Sequence, residues 1–248
     1  MQKITEDKHE FACMICGSTL DYSDEPKEYS CYYCHSKSVG LISCPEGHYV
    51  CDACHSNDAL EFLRALSERE DIKDVGEIIN LSFSHPSFTF HGPEHHSLVP
   101  LAILLTLRNR GIQKPDGTDL TLNDLLEGIR RGSAIPGGFC GYAGSCGGCI
   151  GAGIAIAIFL GSTPKKPKER NIATKATQIG LEMARDKLVR CCKRSTFYGV
   201  TAAIEVLNEL GIDIGSKPER HSCRYWERSP DCERNRCKYF PLNDTVTQ

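Results

Sequence analysis

Four pairs of metal-ligating side chains open the chain: Cys13-x2-Cys16, Cys31-x2-Cys34, Cys44-x3-His48 and Cys51-x2-Cys54, eight ligands within 42 residues. A structural zinc takes four such ligands in a tetrahedron, so eight match two ions with none left over. Spacing leaves two pairings open. Cys13, Cys16, Cys44 and His48 can hold one ion while Cys31, Cys34, Cys51 and Cys54 hold the other, or the first two pairs share one ion and the last two the second. A module of this size buries too little apolar surface to fold alone, so bound metal would supply its folding energy. His35 and His55 each follow a cysteine directly and read as exposed side chains.

What the remaining cysteines do depends on the compartment. The first ten residues lack an apolar core, and the longest apolar runs, Leu98 to Leu107 and Ile150 to Leu160, fall short of the ~20 residues that span a bilayer. The expectation is a cytoplasmic protein without a membrane segment. Fifteen cysteines in a reducing compartment read as metal ligands or redox thiols rather than disulfides. A formal net charge of -3 gives no broad attraction to nucleic acid, which is not an expected partner.

The stretch from Cys44 to Cys54 resembles the knuckles of cross-brace zinc modules such as RING and FYVE domains, which implies metal binding but no particular function. The expected organisation is a zinc-binding cross-brace or ribbon module over residues 1–56 and a mainly α-helical domain of five to six helices over residues 57–248. Asp58 is placed to cap the first helix, with Leu60, Leu63 and Leu66 on one face. Further along, Thr121 to Asp124 reads as a helix cap, Gly132, Gly161 and Gly211 as helix stops, and Asn171 and Ser195 as caps of the last two helices.

Chemistry is expected at two places in the helical domain. His85, His91, His95 and His96 gather just before the apolar run with Pro100 in its first turn, and histidines suit metal ligation or proton transfer near neutral pH. His91 and one of the adjacent pair His95 and His96 are the candidates, because neighbours on a helix cannot both face one way. The second place is Gly137 to Cys149, where glycines surround Cys140, Cys146 and Cys149 ahead of the apolar run. Glycines let backbone approach a ligand closely, and a thiol at a helix N-terminus is favoured as thiolate. Cys146 and Cys149 also form a Cys-x-x-Cys pair suited to dithiol chemistry. His91, Cys140, Cys146 and Cys149 are therefore the candidate catalytic residues, with His95 and His96 as candidate metal ligands.

The tail carries Cys223, Cys232 and Cys237, three thiols in need of one more ligand. Cys191 or Cys192 can supply it; the set Cys192, Cys223, Cys232 and Cys237 would suit a [4Fe-4S] cluster or a further zinc. No phosphate-binding glycine loop after a strand, serine nucleophile elbow or paired-carboxylate motif is present in the sequence, so thiol, metal or sulfur chemistry is favoured over hydrolysis or nucleotide chemistry.

Phe90-His91-Gly92-Pro93-Glu94-His95-His96 before an apolar helix resembles the Phe-His-Gly-His-x-Cys-Pro-Gly opening of a family of formylmethanofuran dehydrogenase subunits, without that motif's cysteine. The glycine- and cysteine-rich stretch before Ile150 is similar to the small redox proteins of anaerobes marked by a C-GCAxxG-C-C pattern. As a whole the chain resembles an uncharacterised cysteine-rich family of methanogens and other anaerobes, archaea among them, found near or fused to radical-SAM proteins. The resemblance implies an anaerobic, metal-dependent context and no settled activity; together with the cysteines and histidines above, the expectation is a metal-dependent thiol, sulfur or one-carbon redox protein of anaerobic metabolism whose small-molecule substrate the sequence does not give. The alternative is a non-enzymatic, zinc-stabilised adaptor for a radical-SAM or other metalloenzyme partner.

Overall fold

The computed structural model describes residues 13, 15–16, 18–51, 58–220, 222–229 and 231–241. Cys54 and His55 lie outside them. The first element is an antiparallel hairpin of β1 (Asp21–Ser30) and β2 (Lys37–Ser43), in register from Ser30 opposite Lys37 to Asp21 opposite Ser43, with an irregularity between Tyr22 and Lys27. Its connection is the knuckle carrying Cys31 and Cys34, closed by the Cys31 amide donating to the Ser36 carbonyl at 2.9 Å. A second knuckle turns at Gly47, whose φ of 84° suits glycine, and the Cys44 amide donates to the His48 carbonyl at 3.0 Å. The ligand spacing predicts the knuckles. The hairpin that separates them has no comparable mark in the sequence.

The rest is helical, as expected, with eight α-helices among the described residues rather than five or six: α1 (Ala59–Ser67), α2 (Val75–Ser84), α3 (Glu94–Asn109), α4 (Leu122–Ser133), the short α5 (Phe139–Tyr142), α6 (Gly147–Phe159), α7 (Pro167–Met183) and α8 (Cys192–Glu209). Two 3-10 turns, Trp226–Arg228 and Arg234–Arg236, follow. Asp58 caps α1 by accepting from the amides of Leu60 and Glu61, and Thr121 and Asp124 form a reciprocal capping box on α4. Three boundaries differ from the sequence reading. Pro100 stands inside α3 because that helix begins at Glu94, ahead of the apolar run. Pro167 starts α7, leaving Asn171 within it, and Cys191 rather than Ser195 is the N-cap of α8. Proline at a first helical position needs no amide partner, which lets it override the asparagine downstream.

α3 and α6 form the centre of the helical domain. All residues of α3 from His95 to Leu107 are buried, and α6 packs against α3, α4, α7 and α8. Small residues let these helices approach. A Cβ on Gly132 of α4 would stand 2.5 Å from the His96 carbonyl oxygen of α3, and one on Gly199 of α8 would overlap the Gly148 carbonyl of α6. These close approaches bring His96, Cys146 and Ser195 to a common end of the bundle. The hairpin module is anchored on the domain by Tyr33, 2% exposed, whose ring packs edge-on against Phe62 and whose hydroxyl bonds Ser84 at 3.0 Å. Arg69 ties the same place down by donating to the Tyr33 carbonyl at 2.6 Å. No helix of the described residues is long and apolar enough to cross a membrane.

Candidate functional site

Two ligand groups form in the hairpin module, and they interleave. Cys13, Cys16, Cys44 and His48 bring their ligand atoms within 4.8 Å of one another, as do Cys31, Cys34 and Cys51. Of the two pairings left open by spacing, the structure has the crossed one. The Cys16 and Cys44 sulfurs are 3.5 Å apart, Cys34 and Cys51 3.8 Å, and Cys13 Sγ is 3.8 Å from His48 Nδ1. A tetrahedral ion with metal–sulfur bonds of ~2.3 Å spaces its sulfurs by about 3.8 Å, so these groups can hold metal ions. The Ile15 amide donates to Cys13 Sγ at 3.4 Å and the Glu46 amide to Cys44 Sγ at 3.4 Å, bonds that support a thiolate ligand. Cys16 is pulled down to about 6, chiefly by Ser18.

The second site is a cavity of about 590 Å³ at the end of the bundle where α6 and α8 begin. His91, His96, Cys140, Cys146, Cys191 and Cys192 are on its walls. Cys146 is the N-cap of α6. The Cys149 thiol, one turn on, bears on its sulfur most strongly, followed by the Ser195 hydroxyl and the amides of Cys149 and Gly148; together they outweigh burial and pull it down to about 5. These contacts are looser than strict hydrogen bonds and act through the partial positive charge they present. Cys149 is wholly buried behind Cys146, against Gly180 of α7, and its thiol is pushed up by the neighbouring Cys146 and by burial. A thiolate in front of a protonated thiol is the division of roles that dithiol exchange requires.

The adjacent histidines do part ways. His96 Nδ1 lies 3.1 Å from the Ile135 carbonyl, which only accepts, so this nitrogen carries the proton and Nε2 keeps a lone pair in the neutral ring. His95 is fully buried away from the cavity, its ring against Phe83 and Phe88 and its Nδ1 3.2 Å from the Gly92 carbonyl. Burial pushes the His95 imidazole down toward its neutral form, and its Nε2 has no hydrogen-bond partner. Neither histidine joins a ligand group among the described residues. His85, stacked on Phe62 at 4.4 Å, is part of the core. His91 Nε2 donates to Asp231 Oδ2 at 3.0 Å, which leaves its buried Nδ1 unpartnered.

Several wall residues carry no motif. Arg185, Asp186, Arg190, Arg194 and Tyr198 also border the cavity. Asp186 is 2.7 Å from the buried Arg194 guanidinium and accepts from the Tyr198 hydroxyl at 2.8 Å. They reach the site from the loop after α7 and the first turns of α8, and only the fold brings that loop to Cys146. A larger cavity of about 1010 Å³ lies between Cys16, Tyr32 and His48, the face of α2 and residues 216–225. It holds no thiolate at a helix start, so the chemistry points to the smaller one. Of the C-terminal cysteines, Cys223, Cys232 and Cys237 meet Cys191 in a third, small cavity of about 30 Å³, whereas Cys192 faces the central one.

A family model described as a family of unknown function, DUF5714, matches residues 63–240. The chain belongs to the DUF5714 family. The match begins within α1 and ends at Phe240, so the DUF5714 region takes in the thiol cavity and the C-terminal cysteines and leaves the hairpin ligand groups outside it. No curated protein and no solved structure matches the chain.

Proposed function

We propose that the protein is a metal-containing dithiol protein whose central cavity carries out thiol–disulfide or sulfur chemistry through Cys146 and Cys149. The observation that carries this reading is the placement of Cys146 at the start of α6, open to the cavity, with the protonated Cys149 directly behind it. In the forward step the Cys146 thiolate attacks a disulfide sulfur of the substrate, forms a mixed disulfide and expels the partner sulfur as a thiolate. Cys149 then gives up its proton and attacks Cys146 Sγ, which releases the second substrate thiol and leaves a Cys146–Cys149 disulfide. Arg185 and Arg190 on the cavity wall favour a substrate that carries negative charge. The resemblance of Phe90 to His96 to a one-carbon enzyme motif supports a place in anaerobic metabolism.

The test uses a chromogenic aromatic disulfide carrying carboxylates. The reduced protein is expected to release both chromophores, Cys149→Ser to release one and retain the other as a mixed disulfide, and Cys146→Ser to release none from this cavity. Equal release by Cys146→Ser and the parent protein would overturn the reading.

A second reading, a zinc-stabilised adaptor docking on a radical-SAM or other metalloenzyme, has one observation in its favour. The Cys13, Cys16, Cys44 and His48 group offers four ligands to one ion, which leaves no open coordination position.

A further inference from the structure

Four half-buried cysteines from three separated stretches line the small cavity beside the start of α8: Cys191 at the N-cap of α8, Cys223, Cys232 and Cys237. Cys237 bears on both Cys191 and Cys223, and Cys191 and Cys232 also bear on Cys223, so these thiols share one electrostatic environment. The local geometry repeats that of the hairpin ligand groups. The Arg234 amide donates to Cys232 Sγ at 3.4 Å, two residues on, as the Ile15 and Glu46 amides do to Cys13 and Cys44. The amides of Lys193 and Tyr225 stand in the same relation to Cys191 and Cys223.

The spacing differs. Among the described residues, ligand atoms gather within 4.8 Å of one another only in the two hairpin groups. The four C-terminal cysteines line one cavity without gathering that closely, whereas the sulfurs around a single tetrahedral ion stand about 3.8 Å apart. A cluster, in which several irons are bridged by sulfide, separates its thiolate ligands more widely. The charged side chains of the wall are all partnered: Lys193, 3% exposed, donates to the Phe88 carbonyl at 3.1 Å, Arg194, 7% exposed, is paired with Asp186, Asp231 with His91 and Glu233 with Arg236. Trp226 and Phe240, edge to face at 4.9 Å, complete the wall.

We propose that Cys191, Cys223, Cys232 and Cys237 ligate a four-iron iron–sulfur cluster, at a site separate from the hairpin metal groups. This goes beyond the dithiol reading and does not depend on it. Cys191 borders both cavities, so the cluster would stand against the wall of the Cys146 chamber.

The experiment reconstitutes the full-length protein with ferrous iron and sulfide under argon, then measures iron, acid-labile sulfide and visible absorption. The parent protein and Cys192→Ser are expected to bind iron and sulfide in equal amounts with broad visible absorption. Cys191→Ser and Cys232→Ser are expected to lose both while keeping the helical circular dichroism and the hairpin metal. Cys232 lies between the two 3-10 turns and belongs to no α-helix, so its variant separates loss of the cluster from loss of fold. Absence of sulfide-bound iron in the parent, a single zinc in its place, or loss on Cys192→Ser with retention on Cys191→Ser would overturn the proposal. Alkylation of Cys146 in the same samples reads the dithiol independently.

Discussion

The imidazole of His96 occupies the space beside Gly147: a Cβ on that glycine would stand 2.5 Å from three atoms of the ring. The ring cannot swing aside freely, since its Nδ1 is bonded to the Ile135 carbonyl at 3.1 Å. This contact sets the distance between α3 and the start of α6, and with it the position of Cys146. Gly147→Ala should therefore destabilise the protein by about 1–3 kcal/mol through overpacking and slow the alkylation of Cys146. Chemical denaturation and a rate with iodoacetamide at neutral pH check the two effects together.

The pH dependence of that alkylation has a definite sign. Cys146 is held at about 5 rather than its ordinary 9.0, so it is ionised above pH 5 and protonated below. Its alkylation rate is expected to be level from pH 6 to 8 and to fall as pH drops through about 5. Cys149→Ala removes the strongest of the influences that lower it, so the fall should move to higher pH in that variant. Peptide mass spectrometry after timed alkylation measures both.

Asp186 holds the buried guanidinium of Arg194 at the floor of the cavity. Asp186→Asn keeps the shape but leaves that charge without its partner, at a cost on the order of 3 kcal/mol. The Tyr198 hydroxyl, which burial and the Asp186 bond push upward, should ionise at lower pH in this variant. Denaturant titration reads the first effect and ultraviolet absorption of the phenolate the second.

The crossed ligand groups make a prediction about metal content. Cys16 and Cys44 belong to one group, so the double variant Cys16→Ser/Cys44→Ser should lose one ion and keep the other. Cys16→Ser/Cys34→Ser, which strikes both groups, should lose two. Metal analysis of the purified variants decides, and the reverse result would restore the sequential pairing.

The parts legible in the sequence are those in which one short stretch determines its own structure. Ligand pairs two and three residues apart mark the knuckles, Asp58 and Thr121 mark helix starts, and the glycines before Ile150 mark the start of α6. The rest depends on contacts between distant stretches. The crossed pairing follows from the hairpin, which brings Cys44 back beside Cys16. Periodicity places His95 and His96 on different faces without saying which meets the cavity; the Ile135 carbonyl and the Phe83 and Phe88 rings decide that. Cys191 and Cys192 are equivalent as a sequence pair, and the start of α8 puts Cys191 on the wall between the two cavities and Cys192 on the central one. Asp186, Arg194 and Asp231 carry no signal because single charged residues are ordinary until the fold gives them partners.

The most direct measurement is a redox equilibration of the full-length protein across a series of dithiothreitol buffers, with alkylation and peptide mapping of all fifteen cysteines. The account predicts that Cys146 and Cys149 interconvert together, as one two-electron transition between dithiol and disulfide, while the ligand cysteines of the hairpin stay reduced. If Cys146 and Cys149 remain thiols throughout, or oxidise separately with other partners, the dithiol account of the cavity is contradicted.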